Sequence, residues 1–206
     1  MEILGKLMGG VARLKLMRLF LFNPDQGFTP AEVAARGLIT PAVARREISF
    51  LGKLKFIRPG MCEREAKTSK GGITLIKKKR MLGWYFNRDF AYAESLRDLL
   101  IDSRFLEHEK VVRRFRHGGR IKLLIVSGVF IKDKNSRLDL LIVGDGLRRS
   151  KIEQSLKTME SEIGKELRYA VLDTKEFTYR LDMCDKFVRD VLDYPHERLI
   201  EKIKLE

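Results

Sequence analysis

Residues 28–55, FTPAEVAARGLITPAVARREISFLGKLK, decide how the N-terminal part of this chain is read. Thr29 stands at the N-cap of a helix, with Pro30 at its first position and Glu32 where a capping box needs its acid. Ala31, Val33 and Ala34 make a small apolar face. Gly37 is placed to end the helix in the left-handed conformation that glycine adopts without steric cost. Thr40 and Pro41 repeat the start signal. In the second helix Val43, Ile48, Leu51 and Leu54 share one wide face, while Arg45, Arg46, Ser49 and Lys53 turn away from it. Two short helices joined by a tight turn, the second basic on its outward side, predict a helix-turn-helix whose second helix can enter a DNA major groove. An ordinary helical hairpin with a solvated basic face satisfies this stretch equally well.

The flanking segments weigh on that choice. Before it, Val11–Phe22 has a helical pattern with Leu14, Leu16, Met17, Leu19, Phe20 and Leu21 inward, interrupted by Arg13, Lys15 and Arg18. Asn23-Pro24-Asp25 then stops it. This helix is expected to complete a three-helix core. After it, Phe56-Ile57-Arg58 reads as a short strand ended by Pro59-Gly60. The chain continues through a polar, basic stretch to Gly71-Gly72 and returns through residues 73–76, the run Lys77-Lys78-Lys79-Arg80, and Gly83-Trp84-Tyr85-Phe86. Two β-rich segments around a Gly-Gly, Lys-rich tip predict a β-hairpin wing longer than a minimal one. A run of four basic residues is by itself usually a solvated face. Beside a helix-turn-helix it reads as phosphate contact.

Charge supports the same division. The net charge is +14, with 42 Lys+Arg against 28 Asp+Glu. Up to Asp89 there are 18 basic and 7 acidic residues; from Phe90 onward there are 24 and 21. A strongly basic part attached to a near-neutral part predicts a polyanion-binding domain, and nucleic acid fits better than a membrane surface, which calls for a basic amphipathic helix or a lipidation signal. No apolar run approaches the ~20 residues that span a bilayer. The N-terminus carries charge through its apolar region and does not read as a signal peptide. Cys62 and Cys184 are far apart and outside any CxxC or Cys/His cluster, so the expectation is a cytoplasmic protein with reduced thiols, no zinc site and no disulfide framework.

Residues 91–103 and 105–116 read as two connecting helices. From Arg120 the pattern changes. Residues 121–126 (IKLLIV) and 138–143 (LDLLIV) predict buried strands, and 167–172 (LRYAVL) a third strand. Arg149–Ile163 is amphipathic, with Ile152, Leu156, Met159 and Ile163 inward and Gly164 as its cap. Thr174 is expected to cap a helix running to about Leu181, another starts at Lys186, and residues 197–204 are expected to form a last helix. This order predicts a small α/β sandwich with a mixed sheet. The whole is read as an α+β chain, with domains over residues 1–90 and 119–206 and connecting helices between them.

Val126-Ser127-Gly128, a short polar loop, and Asn135-Ser136-Arg137-Leu138-Asp139-Leu140-Leu141-Ile142-Val143 resemble the minimal nucleotidyltransferase domain. That family places Gly-Ser after its first strand and Asp-Ser-Asp-x-Asp before an apolar strand. Alternate aspartates on a strand share a face and hold divalent metal, and a third acid completes a two-metal phosphoryl-transfer site. A winged helix followed by such a domain is similar to a group of bacterial and archaeal regulators that fuse the two. The phrases LFLFNPDQGFTPAEVA, LDLLIVGD and RYAVLDTKEFTYRL, with Glu176-Phe177-x-x-Arg180, fit that layout over nearly the whole chain.

The catalytic pattern is incomplete. Asp139 matches the second aspartate, but Arg137 replaces the first; Ser127 matches the serine, but Val126 stands where its glycine belongs. Arg168 falls on the inward register of the third strand, with Glu166 at its edge. Asp139 is expected to pair with Arg137 or cap a turn, leaving no catalytic residue, metal or cofactor among the degenerate positions Ser127, Arg137 and Asp139.

The resulting expectation is a transcriptional regulator that binds double-stranded DNA through Thr40, Arg45, Arg46, Ser49 and Lys53, with Lys67, Lys70, Lys77, Lys78, Lys79 and Arg80 of the wing on phosphate. Its nucleotidyltransferase-like domain is a pseudoenzyme for sensing, dimerisation or partner binding. Homodimerisation through residues 91–116 and binding of a nucleotide or other anion belong to the same reading, with no membrane partner. An active nucleotidyltransferase with a rearranged acid set, and an RNA-binding protein, are the alternatives.

Overall fold

The structure is a computed structural model that describes residues 2–70, 73–101 and 108–203, with the side chains of residues 2, 66–70 and 73–77 outside the description. Among the described residues it is a mixed chain of helices and two sheets, compatible with an α+β class. Two compact units divide it: Met1–Ile101 with Glu160–Lys165, and Asp102–Met159 with Glu166–Glu206. Among the described residues, no helix is long and apolar enough to cross a membrane.

The first unit contains α1 (Glu2–Leu7), α2 (Val11–Phe22), α3 (Pro30–Gly37), α4 (Pro41–Lys53), a two-stranded ribbon of β1 (Ile57–Lys70) and β2 (Ile73–Phe86), and α5 (Ala93–Ile101). Sequence pattern did not reveal α1. Leu14, Leu16, Leu19 and Phe20 of α2 are buried with Val33 and Ala34 of α3 and with Ala44, Ile48 and Leu51 of α4. Leu54 is exposed instead of completing that face.

Both start signals act as read. Thr29 accepts from the Glu32 amide, and the Glu32 carboxylate accepts in return from the Thr29 amide at 2.8 Å. Thr40 Oγ1 accepts from the Val43 amide. The left-handed residue after α3 is Leu38 (φ 50), not Gly37. Gly37 is the last helical residue, and a Cβ there would press on Leu16 at 3.3 Å, so its role is close packing.

Pro59-Gly60 does not end the first strand. β1 continues through both, because Pro59 lies on a two-stranded ribbon where its missing N–H leaves no second ladder broken. The ribbon base is tied to α3 by a bridge between Phe28 and Trp84, with main-chain bonds of 2.9 and 2.8 Å. Gly83 permits that approach: a Cβ on it would lie 2.3 Å from Cys62 Sγ and 3.3 Å from Phe28 O. The Gly71-Gly72 tip lies outside the described residues.

Arg18 does more than interrupt an apolar face. It is fully buried, and donates to the carbonyls of Leu100 (2.7 Å) and Glu162 (3.1 Å). Desolvation lowers its pKa to about 10, the Glu162 charge working the other way, so it stays cationic at neutral pH.

The second unit holds α6 (His108–Phe115), β3 (Arg120–Val126), β4 (Leu140–Asp145), α7 (Arg149–Ile163, its last turn counted with the first unit), β5 (Tyr169–Asp173), α8 (Thr174–Asp182), α9 (Lys186–Asp193) and β6 (Glu197–Glu201). Residues 102–107, which include the end of the first expected connecting helix (91–103) and the start of the second (105–116), lie outside the described residues. The sheet order is β5-β4-β3-β6, with only β4 and β5 parallel, so the sheet is mixed. The parallel pair requires a crossover, which α7 supplies. Leu123, Ile125, Leu141 and Val143 share a core with Phe177, Val188 and Val191 of α8 and α9.

The described part of the segment after Pro195, residues 196–203, is not the helix expected over residues 197–204. Glu197–Glu201 forms an edge strand on β3, where main-chain pairing outweighs its helix-compatible composition. The cap of α8 is Asp173, whose carboxylate accepts from the Glu176 amide at 2.7 Å, and Thr174 is the first helical residue.

Candidate functional site

The exposed side of α4 gathers five of the residues singled out in the sequence. Thr40 precedes the helix, and Arg45, Arg46, Ser49 and Lys53 follow at helical spacing; all are exposed. The opposite face is anchored by Glu47, which sequence reading passed over. Glu47 is 3 % exposed and accepts from Arg13 Nε at 2.9 Å and Arg46 Nε at 3.2 Å. Arg13 also lies over the Phe50 ring, 3.7 Å from its centroid. Arg46 is therefore oriented by a buried carboxylate from one side, with most of its side chain in solvent. The signal was available: Glu47 sits between Ala44, Ile48 and Leu51 on the apolar side of the helix.

The ribbon carries Lys78, Lys79 and Arg80, all exposed. Its register places Arg80 across from Glu63, Lys79 across from Arg64 and Lys78 across from Glu65. Arg80 Nε bonds Glu63 at 3.2 Å, so part of the basic run is balanced across the strands. The side chains of Lys67, Lys70 and Lys77 lie outside the described residues.

Arg64 fixes the ribbon to the helices. It donates to both Glu32 oxygens, at 2.5 and 3.0 Å, and to the Gly27 carbonyl at 2.5 Å. Burial of the Glu32 carboxyl opposes ionisation, but hydrogen bonds from Arg64 and Thr29 outweigh it and hold the pKa below the usual carboxylate value. Glu32 thus serves as capping acid and ribbon anchor together.

In the second unit the structure brings Ser127 and Asp139 together but not Arg137 and Asp139. Asp139 lies just before β4, its side chain 1 % exposed. Its Oδ1 accepts from the Val129 amide at 3.0 Å, and its Oδ2 from the Arg168 amide at 2.9 Å and Arg168 Nε at 3.4 Å. Arg137 instead pairs with Asp190 on α9. The expected Arg137–Asp139 pair fails because alternate residues here do not both point inward: Asp139 is buried and Arg137 half exposed. The turn-capping alternative holds, since Val129 lies in the 3-10 turn Gly128–Phe130.

Ser127 is 5 % exposed and donates its hydroxyl to the Leu138 carbonyl. Gly128, at φ +57, has no room for a Cβ, which would stand 2.1 Å from Asp139 Oδ1. Its amide donates to Ser136 Oγ at 3.0 Å, and Ser136 Oγ donates to Asp133 at 2.9 Å. These motif residues form a closed polar network of the kind that rigidifies a turn. A divalent metal pair does not fit them. The buried carboxylate, Asp139, already accepts three N–H groups, one of them from the cationic Arg168 side chain. Among the described residues, no group of three or more His, Cys, Asp or Glu is placed to hold a metal.

Beside this network is an open pocket of ≈ 380 Å³. Lys134, Arg137, Arg168 and Lys186 line it with one acidic residue, Asp190, and with Asn135, Ser136 and Tyr194. Of these, Arg137, Arg168 and the Asn135-Ser136 loop were read in sequence as part of the motif, and Lys186 as a helix start alone. Lys186, Asp190 and Tyr194 come from α9 and its end, more than 50 positions from Lys134, and no local pattern links them. The Glu176-Phe177-x-x-Arg180 motif is structural in form: Phe177 is fully buried, and Arg180 pairs with Glu176 at 2.7 Å one turn away.

No protein-family model, curated protein or solved structure matches the chain.

Proposed function

We propose that the chain is a DNA-binding transcriptional regulator. Its first unit acts as a winged helix-turn-helix, and its second as a nucleotidyltransferase-like domain without catalysis. The observation that carries the reading is the outward face of α4, where Thr40, Arg45, Arg46, Ser49 and Lys53 stand exposed on a helix packed from behind. A rigid helix with polar and guanidinium groups on its free side suits a major groove, where Arg reads guanine edges in pairs of hydrogen bonds. The exposed Lys78 and Lys79 suit flanking phosphates. The excess of 18 basic over 7 acidic residues up to Asp89 supports a polyanion partner. The donors enclosing Asp139 support its reading as a brace.

Selection of duplex DNA from a random pool by the full chain, followed by anisotropy titration across salt concentrations, tests this. Enrichment of a motif, with affinity falling steeply with salt, is the expected result. Equal or tighter binding to single-stranded or duplex RNA of matched length assigns the face to RNA instead. Two-fold pairing that presents two α4 helices to a longer site is part of the proposal. Sedimentation showing monomer alone at micromolar concentration, with and without DNA, removes that part.

A further inference from the structure

We infer that the pocket between the 134–137 loop, Arg168 and α9 is a metal-independent binding site for a compact, multiply charged phosphate group, free or borne on a small organic molecule. The inference concerns the second unit alone and stands whether or not the first unit binds DNA.

Four cations and one carboxylate line the pocket, in a region that is otherwise nearly balanced, with 24 basic and 21 acidic residues from Phe90 onward. Asp190 and Asp139 offset part of this charge, and the excess that remains favours an anion in the pocket. The two arginines are also oriented. Asp139, buried behind Arg168, receives its Nε, and Asp190 receives Nη1 of Arg137. A guanidinium has five N–H donors in a planar fork, so each arginine is aimed through one nitrogen while others remain to grip an oxyanion.

The arginines are each about half exposed, at 51 and 50 %. Each is therefore reachable by a ligand and partly shielded from water. Lys134 and Lys186 add point charges to the lining. The volume of ≈ 380 Å³ admits a diphosphate with a small organic moiety. An acidic peptide or nucleic-acid backbone is less suited, because the cations converge on one pocket instead of tracking a line. Asp190 gives the site a response: a phosphate that takes Arg137 competes with the α9 carboxylate and loosens the tie between α9 and the 134–137 loop.

The test is calorimetric titration of the full chain with inorganic pyrophosphate in low-salt buffer containing EDTA. Saturable one-site binding is expected. Arg137→Gln should weaken it roughly tenfold, the loss of about one charge-assisted contact. Lys134→Gln with Lys186→Gln should do likewise; both lysines are exposed, so this variant keeps the test valid if an arginine variant misfolds. Lys151→Gln with Lys157→Gln, on the exposed side of α7, should leave binding unchanged. Failure to bind at millimolar pyrophosphate overturns the proposal. So does binding insensitive to the pocket variants, or binding abolished by Lys78→Gln with Lys79→Gln on the ribbon. Adenosine triphosphate under the same EDTA conditions separates the sources: affinity equal to pyrophosphate assigns the site to phosphate alone, and tighter binding lost in Tyr194→Leu assigns it to a nucleotide.

Discussion

Replacing Asp139 with asparagine tests whether this residue is a structural brace. The side chain is 1 % exposed and accepts from two main-chain amides, at 3.0 and 2.9 Å, and from Arg168 Nε at 3.4 Å. Asparagine keeps the volume, so no cavity forms. It also keeps one acceptor, so one of the two amides stays satisfied. At the other position an NH2 group faces an N–H, and a charge-assisted bond of ~1.5–3 kcal/mol is lost. The Arg168 contact is long and half exposed, and adds at most ~1 kcal/mol. The expected destabilisation of the second unit is thus ~2–4 kcal/mol. Trp84, the one tryptophan, belongs to the first unit and is blind to this change. Amide exchange is the better assay, read at Val129, Arg168 and the buried amides of β3 and β4. Exchange through opening of the unit should accelerate roughly 30- to 700-fold. A variant as stable as the parent, or more stable, would refute the reasoning. It would mean that the carboxylate is held at a cost to folding, as ligands to a reacting centre often are.

Gly128→Ala should destabilise the same unit by ~2–4 kcal/mol, since its left-handed φ and the 2.1 Å approach of Asp139 Oδ1 both oppose a Cβ; urea unfolding followed by circular dichroism measures it, and a double-mutant cycle with Asp139→Asn should be strongly non-additive. Arg45→Ala should cost ~1–3 kcal/mol of DNA affinity and relax preference at one base position, whereas Lys78→Ala with Lys79→Ala should weaken all duplexes alike and flatten the salt slope, both read by anisotropy. Glu32 has a folded pKa below its unfolded value, so its stabilisation is complete above about pH 4.5 and is lost as pH falls through the folded pKa; Trp84 fluorescence against pH should show the ribbon loosening there, and Arg64→Ala should flatten that acid response. Gly83→Ala should weaken the ribbon by ~1–3 kcal/mol, because its Cβ collides with Cys62 Sγ at 2.3 Å, a loss visible as faster exchange of the Phe28 and Trp84 amides.

Local chemistry made much of the first unit legible in sequence. Thr29, Pro30 and Glu32 start α3 because a capping box is satisfied within four residues, and Thr40 and Pro41 start α4 for the same reason. The outward residues of α4 were readable because a helix repeats every 3.6 residues. The buried strands of the second unit were readable as apolar runs, for only a sheet covered on both faces buries every consecutive residue. Tertiary structure decided what depends on partners distant in the chain. Arg18 is buried because carbonyls at Leu100 and Glu162 receive it. Glu32 became an anchor because the ribbon register brings Arg64 beside it. Residues 197–201 became a strand because β3 offered an open edge. Asp139 found Arg168 instead of Arg137 because β5 pairs alongside β4 while α9 presents Asp190 to the loop. Proximity in sequence sets which backbone conformations are cheap, whereas the choice of charge partner follows burial and distance in the folded chain, which no stretch of neighbouring residues encodes.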